Sequence, residues 1–184
     1  AFLAPDIARL GVEQAVGDID CARAMSAALR GTGFSLGVHV KLETGMGRTG
    51  FNVSESGALA EVGELMGLPG LRVAGVFTHF AVSDETAQEE YTRMQYSRFV
   101  SAADAVEAET GKSLGLRHCA NSGAVVNYPE MALDMVRPGL LLYGLYPDAE
   151  TGGLDLCPVM TIRTRVSEIT RHQAGDTISY GRIF

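Results

Sequence analysis

Residues 41–51 read KLETGMGRTGF, and the reading of this run decides the fold. Residues 36–40 before it are apolar and β-branched enough for a buried strand. The polar pair Glu43-Thr44 follows, and Gly45, Gly47 and Gly50 then bracket one arginine, Arg48. Glycine lets the backbone turn at positive φ and lets a ligand approach the main chain. A strand ending in such a turn puts a planar cationic fork at its mouth, which suits a carboxylate or phosphate. A tight strand-to-helix turn with a surface arginine accounts for the same residues. Matching segments downstream weigh on the choice.

Outward from this run the chain alternates strand and helix patterns. Residues 13–16 form a short strand candidate. Asp18 can cap a helix through about Arg30, with Ala22, Met25 and Leu29 on one face and Gly31 and Gly33 stopping it. Residues 37–42 are the next strand. Ser54 can cap a helix with Leu59, Val62 and Met66 inward, ended by Pro69-Gly70. Residues 72–78 read as a strand. Ser83 or Asp84 opens a long helix in which Tyr91, Met94, Arg98, Phe99, Ala102 and Val106 share a face, and Gly111 closes it. Residues 116–119 and 135–143 read as two more strands. Five strands separated by helices mean βαβ units and a parallel sheet, either closed as a barrel or open. After Pro147 the pattern changes. Met160, Ile162, Thr164 and Val166 alternate with Arg163, Arg165 and Ser167, as in a half-exposed antiparallel strand. Residues 148–157, rich in Gly and acid, are the candidate domain boundary.

Composition narrows the function. With 184 residues, 46% hydrophobic and 20% charged, the chain supports one globular core. A net charge of −7 argues against a nucleic-acid partner. No apolar run in this segment approaches a membrane span. The start, AFLAPDIARL, has no basic region and no cleavage pattern, so no signal peptide is expected. It also lacks an initiator Met, as expected of an internal piece of a longer chain. Cys21, Cys119 and Cys157 are far apart and form no C-x-x-C pair, which fits a reducing cytoplasm and three small buried hydrophobes.

Four polar signals sit at the C-terminal ends of the expected strands, where parallel α/β folds place active sites. The first is the Arg48 turn. The second is Thr78-His79-Phe80, in which His79 alone reads most simply as structural. The third is His118-Cys119-Ala120-Asn121-Ser122, where Ser122 can hold a phosphate or cap residues 122–127. The fourth is Arg137-Pro138-Gly139, a rigid fork followed by a glycine amide that a phosphate can approach, or simply a turn. Near the end, Tyr180 lies in Ser-Tyr-Gly-Arg. Its hydroxyl can act as acid or base if cations lower its pKa, though a strand tyrosine is usually packing. His39, His118 and His172 make no metal-ligand spacing with the carboxylates, so no metal is expected.

Taken together, HVKLETGMGRTGF (39–51), GVFTHFAVSDE (75–85), RHCANSGAVVNYPE (117–130), DMVRPGLLLYGLYP (134–147) and SYGRIF (179–184) resemble the fold-type III alanine racemases, which depend on pyridoxal 5'-phosphate (PLP). The resemblance spans about residues 38–184. It implies a (β/α)8 TIM-type barrel, here partial with about strands four to eight in residues 1–147. The start of a β-rich C-terminal domain would follow in 148–184. It implies a cytoplasmic homodimer that interconverts L- and D-alanine by two bases and supplies D-alanine for peptidoglycan. Arg137 matches the arginine facing the PLP pyridine nitrogen. Ser122, with the amides of Gly139 and Leu140, matches the phosphate cradle. Arg48 matches the arginine near the cofactor phenolic oxygen and the substrate carboxylate. Lys41 matches a lysine often carbamylated and paired with that arginine. Tyr180 matches the base for the L-enantiomer, acting in the partner subunit's site, and His79 matches its hydrogen-bonding neighbour.

One departure stands against this match. The family's Schiff-base lysine lies in a K-A-[DN]-A-Y-G-H-G-like run, and no such run occurs here. The only lysines are Lys41 and Lys112. These 184 residues alone are therefore expected to be inactive. A non-catalytic PLP-binding relative is the alternative, as is a serine or broad-spectrum racemase.

Overall fold

The computed structural model describes residues 1–147 and 154–182. The candidate boundary at 148–157 therefore lies largely outside the described residues. In chain order the elements are α1 (Ala4–Arg9), β1 (Gln14–Val16), α2 (Ile19–Leu29), β2 (Leu36–Glu43), β3 (Phe51–Asn52), α3 (Ala58–Leu65), β4 (Leu71–Phe77), α4 (Glu89–Thr110), β5 (Leu116–His118), α5 (Ser122–Asn127) and α6 (Gly139–Leu142). The strands pair in the order β1-β2-β4-β5, all parallel, and the short β3 pairs with the end of β2. This is a run of βαβ units, the wall of a partial TIM-type barrel.

The two faces of β2 explain the architecture. Leu36, Val38, Val40 and Leu42 are each 0% exposed and join Ala22, Met25, Leu29, Val62, Leu65 and Phe99 in one core. Each such side chain contributes roughly 1.5–3 kcal/mol on burial, so the apolar face fixes which side the helices cover. The alternate residues, His39 and Lys41, point to the opposite face. Register puts His39 beside Gly75, and Lys41 beside Phe77, which in turn pairs with His118. A Cβ on Gly75 would lie 2.4 Å from His39 Nδ1, so only glycine leaves room for that ring.

Several expectations are corrected. Residues 135–143 are not a strand. Asp134 N–H donates to the Arg117 carbonyl and Arg137 N–H to the Ala120 carbonyl, but Pro138 has no N–H to give and the chain turns into α6. Residues 160–167 form no strand either. They are exposed and lack the paired neighbour that a ladder needs. Ser54 does not cap α3, whose N-cap is Gly57 at φ 97°. Neither Ser83 nor Asp84 opens α4. The Ser83 hydroxyl bonds Asn121 Oδ1 at 2.6 Å, and a 3-10 turn at Thr86–Gln88 precedes the helix. The inward face of α4 is also rotated. Thr92, Gln95, Phe99, Ala102, Ala103 and Val106 are buried, whereas Tyr91 and Arg98 are exposed. Of the cysteines, Cys119 is buried, Cys21 half-buried and Cys157 exposed. Among the described residues, no helix is long and apolar enough to cross a membrane.

Candidate active site

Because the sheet is parallel, the loops after β2, β4 and β5 leave from the same end. The loop after β2 is built around Glu43. Its carboxylate accepts the N–H groups of Gly45 and Met46 at 2.5 Å and that of Arg48 at 3.3 Å. Burial works against the charge, but the amides of Gly47, Gly45, Arg48 and Met46 outweigh it and hold the carboxyl below the usual range. Gly45 sits at φ 141°, and a Cβ there would lie 2.7 Å from the Tyr91 hydroxyl. The turn thus needs glycine for conformation and for space. Arg48 stands exposed at its tip. Lys41, 6% exposed, donates to Thr49 Oγ1 at 3.0 Å. Burial first, then the Arg48 charge, lowers the Lys41 pKa.

Arg137 is half-buried and centres a second cluster. Its Nη2 donates to the carbonyls of Thr78 at 2.7 Å and Cys119 at 3.3 Å, and lies 3.5 Å from His79 Nδ1. Its Nη1 meets His118 Nδ1 at 2.5 Å, and the guanidinium lies 5.2 Å from the centre of the Phe77 ring. Burial, then the charge of Arg137, pushes His79 down to about 4 and His118 down to about 3. Both rings are therefore neutral near pH 7. An arginine only donates, so His118 Nδ1 accepts and its proton sits on Nε2. That Nε2 lies 2.8 Å from His39 Nδ1, and His39 Nε2 lies 2.8 Å from Glu13 Oε2. The partners assign one direction at the start of this chain, from Arg137 to neutral His118 and from its Nε2–H to His39, which lies against the Glu13 carboxylate. Glu13 also accepts from Arg72 at 3.2 Å, and its pKa is lowered by the His39 bond first and that one second.

Past β5, Asn121 rather than Ser122 caps α5, accepting the Ala124 N–H at 3.1 Å. The Ser122 hydroxyl is left for the start of α6, where it accepts the amides of Leu140 at 2.9 Å and Leu141 at 3.5 Å. Open space surrounds Gly139. His79, Ser122, Arg137, Gly139 and Leu140 line one cavity of about 220 Å³. Lys41 and Thr49 line a neighbouring cavity beside β1. Tyr180, 99% exposed in a 3-10 turn at Tyr180–Arg182, is not brought to either. His118 stood in the third strand-end signal without its tie to Arg137, whereas His39, Glu13 and Gln95 were not expected in these networks, and Glu13 precedes β1 toward the opposite end of the sheet. His39 carried one usable signal, because a polar residue two before Lys41 in a strand shares its face.

These features define the class of parallel α/β-barrel enzymes. The profile described as "Alanine racemase, N-terminal domain" matches residues 3–147, and the chain belongs to this family of isomerases. It is 46% identical over 164 residues to an alanine racemase of Desulforamulus reducens, covering 88% of this chain and 44% of that protein. It resembles the solved alanine racemase of Clostridium difficile 630 with a TM-score of 0.85 at 30% identity, over 99% of this chain and 47% of that one. It also resembles a histidine racemase of Leuconostoc mesenteroides with a TM-score of 0.77 at 25% identity, over 100% and 48%. The chain spans about half the length of the curated relatives it matches.

Proposed function

We propose that this chain forms the cofactor-facing part of a PLP-dependent alanine racemase, in which residues 1–147 belong to the barrel and 148–184 begin a second domain. One observation carries the reading. Arg137 is a half-buried cation whose side-chain partners are neutral imidazoles, an aromatic face and backbone carbonyls. Such a cation favours an acceptor across the cavity. A pyridine nitrogen fits that need, and a phosphate on the same cavity wall would take the Ser122 O–H, with the amides of Leu140 and Gly139 turning to it from Ser122 Oγ and the Arg137 carbonyl, to which they now donate. When bound, PLP supplies the electron sink that makes an amino acid Cα–H acidic.

The chain's own residues have distinct tasks. Arg137 would donate to the ring nitrogen and hold it unprotonated, because an arginine backed by neutral His118 offers no proton to pass forward. Arg48 binds the substrate carboxylate. Lys41, whose pKa is lowered by burial and the Arg48 charge, would as the amine add carbon dioxide to form a carbamate with loss of one proton to solvent, an anion suited to orient Arg48. Tyr180 from a second protomer exchanges the proton on one face of Cα, and neutral His79 offers it an Nε2–H.

The test is racemisation of alanine, serine and histidine by the intact enzyme that contains this chain. Alanine is expected to lead. Ser122→Ala is expected to weaken PLP retention by about 1.5–3 kcal/mol, the worth of one hydrogen bond to a charged group. Unchanged retention in Ser122→Ala, together with no racemisation, overturns the reading.

A further inference from the structure

Helix α4 touches the turns after β2 and β4 from behind, and it does so with polar groups. Gln95 is 0% exposed. Its Nε2 donates to Thr44 Oγ1 at 3.4 Å and to the His79 carbonyl at 3.2 Å, while its Oε1 accepts the Ala81 N–H at 2.9 Å. Thr44 Oγ1 in turn bonds Thr78 Oγ1 at 2.8 Å. One turn earlier on the helix, the Tyr91 hydroxyl donates to the Gly45 carbonyl at 2.7 Å. One turn later, Arg98 Nη1 donates to the Thr44 carbonyl at 3.3 Å. Positions 91, 95 and 98 follow the i, i+4, i+7 stripe of a helix. A side chain needed only to fill this space would be apolar, since burying an amide without partners is costly. Here both donors and one acceptor position of one buried amide are committed to two strand-end turns.

We infer that Gln95, flanked by Tyr91 and Arg98, is a positioning residue that clamps the turn carrying Arg48 against the turn carrying His79. The inference rests on the reading of Arg48 as the group that binds the substrate carboxylate. Glu43 gathers the turn's amides from within, and the α4 stripe holds its carbonyls from outside. Together they fix where Arg48 leaves the backbone relative to the His79–Arg137 cluster.

The test uses the intact enzyme and two substitutions that keep the volume of Gln95. Gln95→Met removes all of its hydrogen bonds, whereas Gln95→Glu retains only the acceptor for Ala81. Hydrogen–deuterium exchange is expected to speed up at residues 44–50 and 78–82 in Gln95→Met, with β2 unchanged. In Gln95→Glu, which loses the bonds to Thr44 and to the His79 carbonyl, it is expected to speed up at both turns, but less at the Ala81 amide, which keeps its acceptor. These readouts judge the clamp whether or not the enzyme racemises alanine, so failure of the functional reading remains separate. In an active enzyme, Gln95→Met is expected to lower kcat/KM for alanine by about 10- to 100-fold, mostly through KM, as for a binding group displaced by a fraction of an ångström to one ångström. Added to Arg48→Lys it is expected to cost little more, because both act through one group. Unchanged exchange at both turns, or fully additive losses in the double variant, would overturn the clamp.

Discussion

His118 is 3% exposed, and the direction of its hydrogen bonds fixes its chemistry. Arg137 supplies a proton to Nδ1, so the ring has to stay neutral and keep its own proton on Nε2. Its pKa falls from an ordinary 6.5 to about 3, and that of His79 to about 4. An unfolded chain takes up these protons near pH 6.5, whereas the folded one refuses them until much lower pH. Stability from this source is therefore complete above about 6.5 and is lost progressively as the pH falls toward 4. The ring ¹⁵N shifts of His118 are expected to report the Nε2-protonated neutral form from pH 8 down to 5, and a midpoint near 6.5 would contradict the network. His118→Gln is expected to lower the urea midpoint at pH 7, measured at fixed protein concentration, and to flatten its fall between pH 7 and 5. At this scale the sequence disclosed the groups proposed to touch a ligand but not those behind them. Arg48, His79, Ser122 and Arg137 stand in short glycine- and proline-marked runs. His39, Glu13 and Gln95 act through pairings across 14 to 79 residues, which no local pattern encodes.

Helix ends give the matching case one level up. Asp18, with extended backbone at φ −153° and ψ 155°, accepts the Cys21 N–H at 2.6 Å at the start of α2. Asp18→Ala is expected to cost about 1 kcal/mol, seen as a lower urea midpoint with an unchanged slope. Ser54 offers the same side-chain chemistry but is exposed and caps nothing, because the chain enters α3 through Gly57. Ser54→Ala is expected to change stability by less than about 0.5 kcal/mol. The pair separates what could be read from what could not. β1, β2, β4 and β5 were legible from apolar runs between breakers, and α2 from its cap and its periodic face. The start of α4 was misread because Ser83 turns across to Asn121 instead of along its own backbone. Its buried face was misread because Thr92 and Gln95, polar by type, point inward. Residues 135–143 have strand-like composition, yet a strand is made by its neighbours, and only two backbone bonds reach the β5 side.

In the whole molecule, the proposed racemisation sets a requirement that the cluster around Arg137 does not meet by itself. A proton leaves one face of Cα and returns to the other, so two groups have to flank the substrate. Of the two lysines, Lys41 is engaged with Thr49, and Lys112 donates to the Met66 carbonyl beyond the end of α4. Tyr180 is 99% exposed within its own chain, and every described residue from 157 to 182 is exposed too, so its proposed place in a partner's site rests on the match to the family motif. The family's cofactor-bearing lysine would serve one face and Tyr180 the other. In the intact enzyme, Tyr180→Phe is expected to cut L-to-D turnover by about two to four orders of magnitude, the range for a lost acid–base group, while PLP absorbance persists. Mixing that variant with one lacking the cofactor-bearing lysine makes the geometry visible. If the two bases of a site come from different chains, each hybrid dimer holds one complete site, and random reassociation restores about a quarter of wild-type activity. If both bases come from one chain, no combination restores any. Loss of activity in both parents, with recovery only after subunit exchange, is the expected result; full activity in Tyr180→Phe would remove Tyr180 from the chemistry.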